Sequence, residues 1–288
     1  MTLPPLLRLC RIHQYTKNGF VFAPLFFAGN IPATETLLRV TWAFVAYCLA
    51  ASAIYIINDL GDVAEDRMHP TKRLRPLAAG TVSVPTAKIT AALLAVVGLG
   101  GTWLLVPGIL PLLGFYMIMN LAYSLKLKHF SLVDITVISL GFVIRLYVGG
   151  VAADLPLSHW IVIITFLLAL FLALAKRRDD VVLSAGGERT RAAVDGYNEM
   201  FLSTAMAIVA AVVLVAYLMY TVSDVVIGRV GHNHLYLTSG FVILGFMRYL
   251  QITFVEGRSG SPSEVVLKDR FLQAVILLWL ALFAFLIY

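Results

Sequence analysis

The chain has 288 residues, of which 60% are apolar and 13% charged, with a formal net charge of +6. Globular domains carry roughly a quarter of charged residues, so this chain cannot clothe a water-facing surface; that excludes a soluble fold and identifies an integral membrane protein. Apolar segments recur with no soluble stretch long enough for a second domain, which predicts one membrane domain over residues 1–288.

Residues 1–18 hold Arg8, Arg11 and Lys17 but no apolar core before a small-residue cleavage site, so no cleavable signal is expected. Apolar windows follow at 19–35, 37–58, 86–106, 109–125, 132–151, 158–175, 199–222, 235–254 and 269–288. Most match the roughly 20 residues that span a hydrocarbon core. They predict an all-α, polytopic bundle of nine transmembrane helices, the first interrupted by Asn30 and Pro32.

Charge supports that count. With nine spans and a cytoplasmic N-terminus, all but four of the 22 Lys and Arg residues fall on the inner side. Arg39 and Arg229 lie outside, and Arg145 and Arg248 lie within spans. Were 19–35 not to cross, Arg8, Arg11 and Lys17 would be stranded outside. The outer connections are short or nearly uncharged, whereas the inner loops 59–85, 176–198 and 255–268 are long and charged. Function is therefore expected at the cytoplasmic face. A carrier of an anionic lipid or solute would need a polar path to the outer side, which the nearly featureless outer half argues against. Cys10 and Cys48 give neither a disulfide framework nor a metal-ligand spacing, and nothing points to nucleic acid. A homo-oligomer is compatible with the sequence.

The second span ends in Asn58-Asp59-Leu60-Gly61-Asp62-Val63-Ala64-Glu65-Asp66. On a continuous helix Asn58, Asp62 and Asp66 share one face, at i, i+4 and i+8. Like-charged carboxylates at a bilayer are expensive without a compensating cation, and oxygen donors suit a hard ion such as Mg²⁺. Asn58, Asp62 and Asp66 are thus the expected metal ligands. Asp59 points elsewhere on such a helix but could reach the metal or orient a ligand, and Glu65 is expected in solvent. The acids Asp59, Asp62 and Asp66 are the candidates for catalysis.

His69-Pro70-Thr71-Lys72-Arg73-Leu74-Arg75-Pro76 follows at once. Such a cluster can anchor to anionic lipid. Its link to the acids, between two stiffening prolines, favours phosphate binding by Lys72, Arg73 and Arg75. Oxygen ligands beside these cations suggest a site for magnesium-bound diphosphate.

Further along, Tyr123-Ser124-Leu125-Lys126-Leu127-Lys128-His129 closes the fourth span; Lys126 and Lys128 either snorkel to the interface or bind a lipid or sugar phosphate. Asp134 could pair with one of these lysines. Arg145, within the fifth segment, has to face the bundle interior and meet an acid or a ligand phosphate, and Gly149 and Gly150 permit close helix contact. Arg248 invites the same argument. Lys176-Arg177-Arg178-Asp179-Asp180 ends the sixth span, either as a topogenic cluster or as a second set facing the first, with Asp179 or Asp180 completing a metal shell.

These residues resemble a known family. The 58–66 segment is similar to the NDxxDxxxD signature of UbiA-type membrane prenyltransferases. Gln14-Tyr15-Thr16-Lys17-Asn18, Ser52 to Asp59, His69 to Gly80, Leu127-Lys128-His129, Gly141 to Arg145, Ala175-Lys176-Arg177 and Leu267 to Arg270 are similar to its decaprenyl-phosphate phosphoribosyltransferase branch. The resemblance implies Mg²⁺, a cytoplasm-facing cavity with a side opening to lipid, and transfer of phosphoribose from phosphoribosyl pyrophosphate to a polyprenyl phosphate, a step toward cell-wall arabinofuranose donors. Lys17, Lys72, Arg73, Arg75, Tyr123, Lys126, Lys128, Arg145, Lys176 and Arg177 would then position phosphates. The wider family carries a second DxxxD-type motif after the sixth helix, where this chain has more cations and fewer acids. That departure speaks against a prenyl diphosphate donor with an aromatic acceptor, the alternative within the family.

Overall fold

The computed structural model describes residues 4–68, 71–185, 196–257 and 262–288, and no strand occurs among them. The chain opens with α1 (Pro5–Leu9), a 3₁₀ stretch (Ile12–Phe22) and α2 (Ala23–Ala28). Then come α3 (Thr34–Gly61), α4 (Val63–Met68), a 3₁₀ turn (Lys72–Leu74), α5 (Val84–Leu105) and α6 (Leu110–Leu125). After a 3₁₀ turn (Leu127–His129) follow α7 (Val133–Ala153), α8 (His159–Ala185), α9 (Glu199–Thr221), α10 (Asp224–Val230), α11 (Ser239–Phe254), α12 (Pro262–Lys268) and α13 (Arg270–Ile287). Among the described residues eight helices are long and apolar enough to cross a membrane: Thr34–Gly61, Val84–Leu105, Pro107–Leu125, Val133–Ala153, His159–Ser184, Glu199–Thr221, His234–Phe254 and Arg270–Ile287. They correspond to the second to ninth expected windows.

The first window differs. Instead of one α-helix over 19–35, the 3₁₀ stretch gives way at Ala23 to six α-helical residues, and Gly29 ends them at φ +72°. Pro24 supplies a reason: with no N–H it suits the first turn of a helix and disrupts an interior. The helix therefore restarts around it.

The chain forms two compact units. One comprises Met1–Leu125 and Ile144–Pro156, the other Lys126–Val143 and Leu157–Tyr288, so α7 contributes to both. In the first unit α5 lies close on α3. A methyl group at Gly101 would stand 2.3 Å from the Trp42 ring, and one at Gly98 would stand 3.4 Å from Leu49 Cβ. Small residues let apolar helices approach where no hydrophobic force separates them from lipid. Ser83 caps α5, accepting from the Thr86 amide at 3.3 Å. Beneath the linker between α4 and α5, Leu77 and Val82 join Leu9, Ile56, Ala87 and Ala91 in one buried cluster. The linker's backbone is thereby held while its charged side chains stay at the rim.

The second unit is centred on Phe171, which meets Phe246 and Tyr249 edge-on at 5.0 and 5.2 Å. Leu202 and Met206 of α9 complete that core. Polar ties fix the helices around it. Arg178 donates to Ser203 Oγ and the Thr253 carbonyl, both at 3.0 Å, and to Glu199. Arg248 pairs with Asp269 at 2.6 Å and Glu256 at 2.7 Å, while Asp269 also caps α13 through the Leu272 amide. The intramembrane Arg248 is thus a structural tie.

Candidate active site

The helix expected through 58–66 breaks after Gly61: α3 ends there and α4 begins at Val63. The break is shallow. Asp62 N–H still donates to the Asn58 carbonyl at 3.0 Å and Asp66 N–H to the Asp62 carbonyl at 2.8 Å, so i, i+4 neighbours stay adjacent. Asn58 Nδ2 donates to Asp62 Oδ2 at 3.1 Å. Glu65 is exposed, as expected.

Asp59 is better placed than its position on an ideal helix suggests. Asp59 and Asp66 are each 2% exposed, and one arginine serves both. Arg75 Nη1 lies 3.1 Å from Asp59 Oδ1 and 2.6 Å from Asp66 Oδ2. A second arginine, Arg11, also pairs with Asp59. Two buried carboxylates therefore meet two guanidinium groups, as their desolvation requires. Among the described residues no three His, Cys, Asp or Glu side chains converge to hold a metal ion. The donor set still suits Mg²⁺ in kind, being amide and carboxylate oxygen throughout.

The cations continue along α3. Tyr47, Tyr55 and Asp59 lie at i, i+8 and i+12, on one face. Arg11 stacks over Tyr55 with its Cζ 4.9 Å from the ring centre, and Arg145 over Tyr47 at 4.8 Å. Arg145, 6% exposed, also lies 5.6 Å from the centre of Tyr116 and donates from Nε to Asn18 Oδ1 at 2.9 Å. This confirms that it faces the interior, and aromatic faces and an amide take part in its reception. Gly149, one turn on, explains how Asn18 gets there. A methyl group at Gly149 would stand 1.9 Å from the Val21 carbonyl oxygen, so only glycine lets the 3₁₀ stretch lie so close to α7. Lys17 is drawn into the same neighbourhood. Burial first, then the nearby Arg145 and Arg11, hold its pKa below that of an ordinary lysine. Arg11 itself has φ +52°, a left-handed backbone costing about 1–2 kcal/mol.

The remaining expected residues are distributed as follows. Lys72 is half-buried and Arg73 exposed in the turn before Arg75, while His69 and Pro70 lie outside the described residues. Tyr123 is half-buried near the end of α6. Lys126 (exposed), Lys128 (half-buried) and Lys176 (exposed) belong to the second unit.

Arg177, expected to grip phosphate, is fully buried and holds Asp134 through Nε at 2.5 Å and Nη2 at 3.0 Å, with Asp180 on Nη1 at 2.5 Å. Asp134 thus meets Arg177, and Asp180 is engaged by the same arginine. The reason is steric: α8 continues as a helix to Ala185, so Arg177 points inward at the depth of the first turn of α7.

Arg11 was missed as a site residue. In the sequence it reads only as one more inner-side charge; the signal available was the Tyr47–Tyr55–Asp59 stripe, which asks for cations along one face of α3.

A model of the UbiA prenyltransferase family matches residues 19–275. Over 286 aligned residues the chain is 35% identical to the decaprenyl-phosphate phosphoribosyltransferase of Mycolicibacterium smegmatis, covering 96% of this chain and 90% of that protein. The Corynebacterium glutamicum protein of the same name is 33% identical over 280 residues, covering 95% and 84%. A UbiA homolog from Archaeoglobus fulgidus, solved with GPP and Mg²⁺, matches with a TM-score of 0.71 at 16% identity over 99% of both chains. That last likeness is one of fold.

Proposed function

The chain belongs to the UbiA prenyltransferase family, and from that premise we propose that it transfers phosphoribose from phosphoribosyl pyrophosphate to a polyprenyl phosphate, releasing diphosphate. The observation that carries this reading is the pairing of buried Asp59 and Asp66 with Arg75 and Arg11, continued by Lys17 and Arg145. Together these residues offer carboxylates for a cation and several cations for phosphates. Relatives named for the same reaction, at 33–35% identity over nearly the whole chain, support it.

Asn58, Asp62 and Asp66 would hold Mg²⁺, with Asp59 beside them. When bound, the ion neutralises charge on a departing diphosphate. Arg75, Arg11 and Lys17 orient the donor's phosphates by charge-assisted hydrogen bonds. The bond from ribose C1 to diphosphate oxygen breaks, diphosphate taking the electron pair, and the electron-poor C1 sits in the negative field of Asp59. A lipid phosphate oxygen then forms the new bond to C1. That oxygen is already anionic at neutral pH, so the reaction needs no strong general base.

The protein is a multi-pass membrane protein. We place the site at the cytoplasmic face, with the N-terminus inside and residues 19–35 crossing as a ninth span. α7's membership of both units supports one membrane domain. Reporter fusions at both ends test the count, since nine spans put the termini on opposite sides and eight put them on the same side. The activity is tested by incubating purified protein with labelled phosphoribosyl pyrophosphate, decaprenyl phosphate and Mg²⁺. A phosphoribosylated lipid is expected. Prenyl transfer to an aromatic acceptor, with no such lipid, would overturn the reading.

A further inference from the structure

Resting on the reading above, we infer that Arg75 and Arg11 are exchangeable counter-ions: they neutralise Asp59 and Asp66 in the empty site and move to the donor's diphosphate when it enters with its metal, so that metal alone is excluded. Three observations carry this. The first is charge. Asp59 and Asp66 are balanced by two guanidinium groups. A divalent cation arriving alone would face those guanidinium groups at close range and leave excess positive charge in a poorly solvated place. Arriving with a diphosphate, it brings the anion that the displaced arginines can take up.

The second is the unequal exposure of the partners. The two carboxylates are buried, whereas the Arg75 and Arg11 side chains are 26% and 21% exposed. Both arginines reach solvent and can swing, while the acids stay.

The third is how Arg75 is mounted. Its backbone is fixed independently of its side chain. The Arg75 carbonyl accepts from the Ala79 amide at 2.8 Å, Pro76 and Leu77 are buried, and the Pro76 carbonyl accepts from Thr81 N–H at 2.9 Å. A long, flexible side chain on a fixed base can change partner without moving the linker. Arg177 is mounted in the opposite way, fully buried among its acids.

The test is divalent-cation binding without turnover. Purified full-length protein is titrated with Mn²⁺ as a paramagnetic probe, with and without inorganic pyrophosphate, and protein-bound Mn²⁺ is counted. Wild type should bind Mn²⁺ weakly alone and at least about tenfold more tightly with pyrophosphate. Arg75→Gln should bind Mn²⁺ alone about tenfold more tightly than wild type and lose most of the pyrophosphate-dependent gain. Arg11→Gln should shift both in the same direction, and it serves as the second variant should Arg75→Gln fail to fold. If either folded variant has wild-type Mn²⁺ affinity and merely melts at lower temperature, the arginines are structural and the exchange is overturned. If wild type binds no Mn²⁺ even with pyrophosphate, the metal–diphosphate reading falls along with it.

Discussion

Two arginine–carboxylate clusters, one in each compact unit, are built from the same chemistry and differ in access. Arg75 bridges Asp59 and Asp66 from the rim with a quarter of its side chain exposed; Arg177 holds Asp134 and Asp180 at 1% exposure. A closed cluster of this kind has nothing to exchange, because removing either charge leaves the other stranded in low dielectric. An open one can trade its guanidinium for a ligand. In these two clusters the same residue pair thus differs in whether solvent reaches the cation.

The most forceful way to break that contrast is to neutralise an acid in the open cluster. Asp66→Asn should lower the rate of phosphoribose transfer by about a hundredfold or more, since the charge facing the departing diphosphate depends on it. Folding should be largely kept, because Arg75 retains Asp59. Asp62→Asn should behave similarly. Turnover under saturating Mg²⁺ and donor, with a thermal-unfolding scan alongside, checks both; a folded Asp66→Asn enzyme of full activity would remove that residue from the site.

In the closed cluster the same kind of substitution should move stability instead. Asp134→Asn should destabilise the protein by about 1–3 kcal/mol, since the buried Arg177 loses the carboxylate that it grips with two nitrogens and keeps Asp180. Replacing both partners, as Asp134→Leu with Arg177→Met, should recover much of the loss. Activity per folded molecule should stay within a few-fold. If the double variant folds but has lost phosphoribose transfer, Arg177 acts on substrate after all.

The contrast also explains which parts of the molecule the sequence discloses. Eight helices were legible because a run of about 20 apolar residues is a local property that a bilayer selects for. The broken first segment was not, since a proline in a short apolar run is compatible with a kink, a restart or a crossing. The acids at 58–66 were legible through their spacing. Long-range pairings were not: Arg11 is 48 residues from Asp59, Asp134 is 43 from Arg177, and Asn18 is 127 from Arg145. Only packing tells an arginine bound for a ligand from one bound for a carboxylate.

A further substitution sharpens the comparison from the packing side. Gly149→Ala would place a methyl group 1.9 Å from the Val21 carbonyl oxygen, pushing the 3₁₀ stretch off α7 at a cost of about 1–3 kcal/mol. Because Asn18 and Lys17 ride on that stretch, the Michaelis constant for the donor should rise more than the turnover number falls. An equal loss of stability with an unchanged Michaelis constant would separate this contact from the site.

The smallest effect concerns pH and isolates Lys17, which precedes the first expected span. Burial and the neighbouring Arg145 and Arg11 lower its pKa in the free protein. A bound phosphate favours the charged form and raises that pKa again, so donor binding takes up protons in the window between the two values. Affinity should therefore be full below the lowered free-state pKa and weaken by a few-fold as pH rises through it towards the bound-state value. Lys17→Arg keeps the positive charge throughout that rise. It should bind the donor with a flatter pH profile, while Lys17→Met should bind more weakly with an equally flat one. A wild-type slope that persists in Lys17→Arg would assign the titration to another group and leave Lys17 as a bystander of the open cluster.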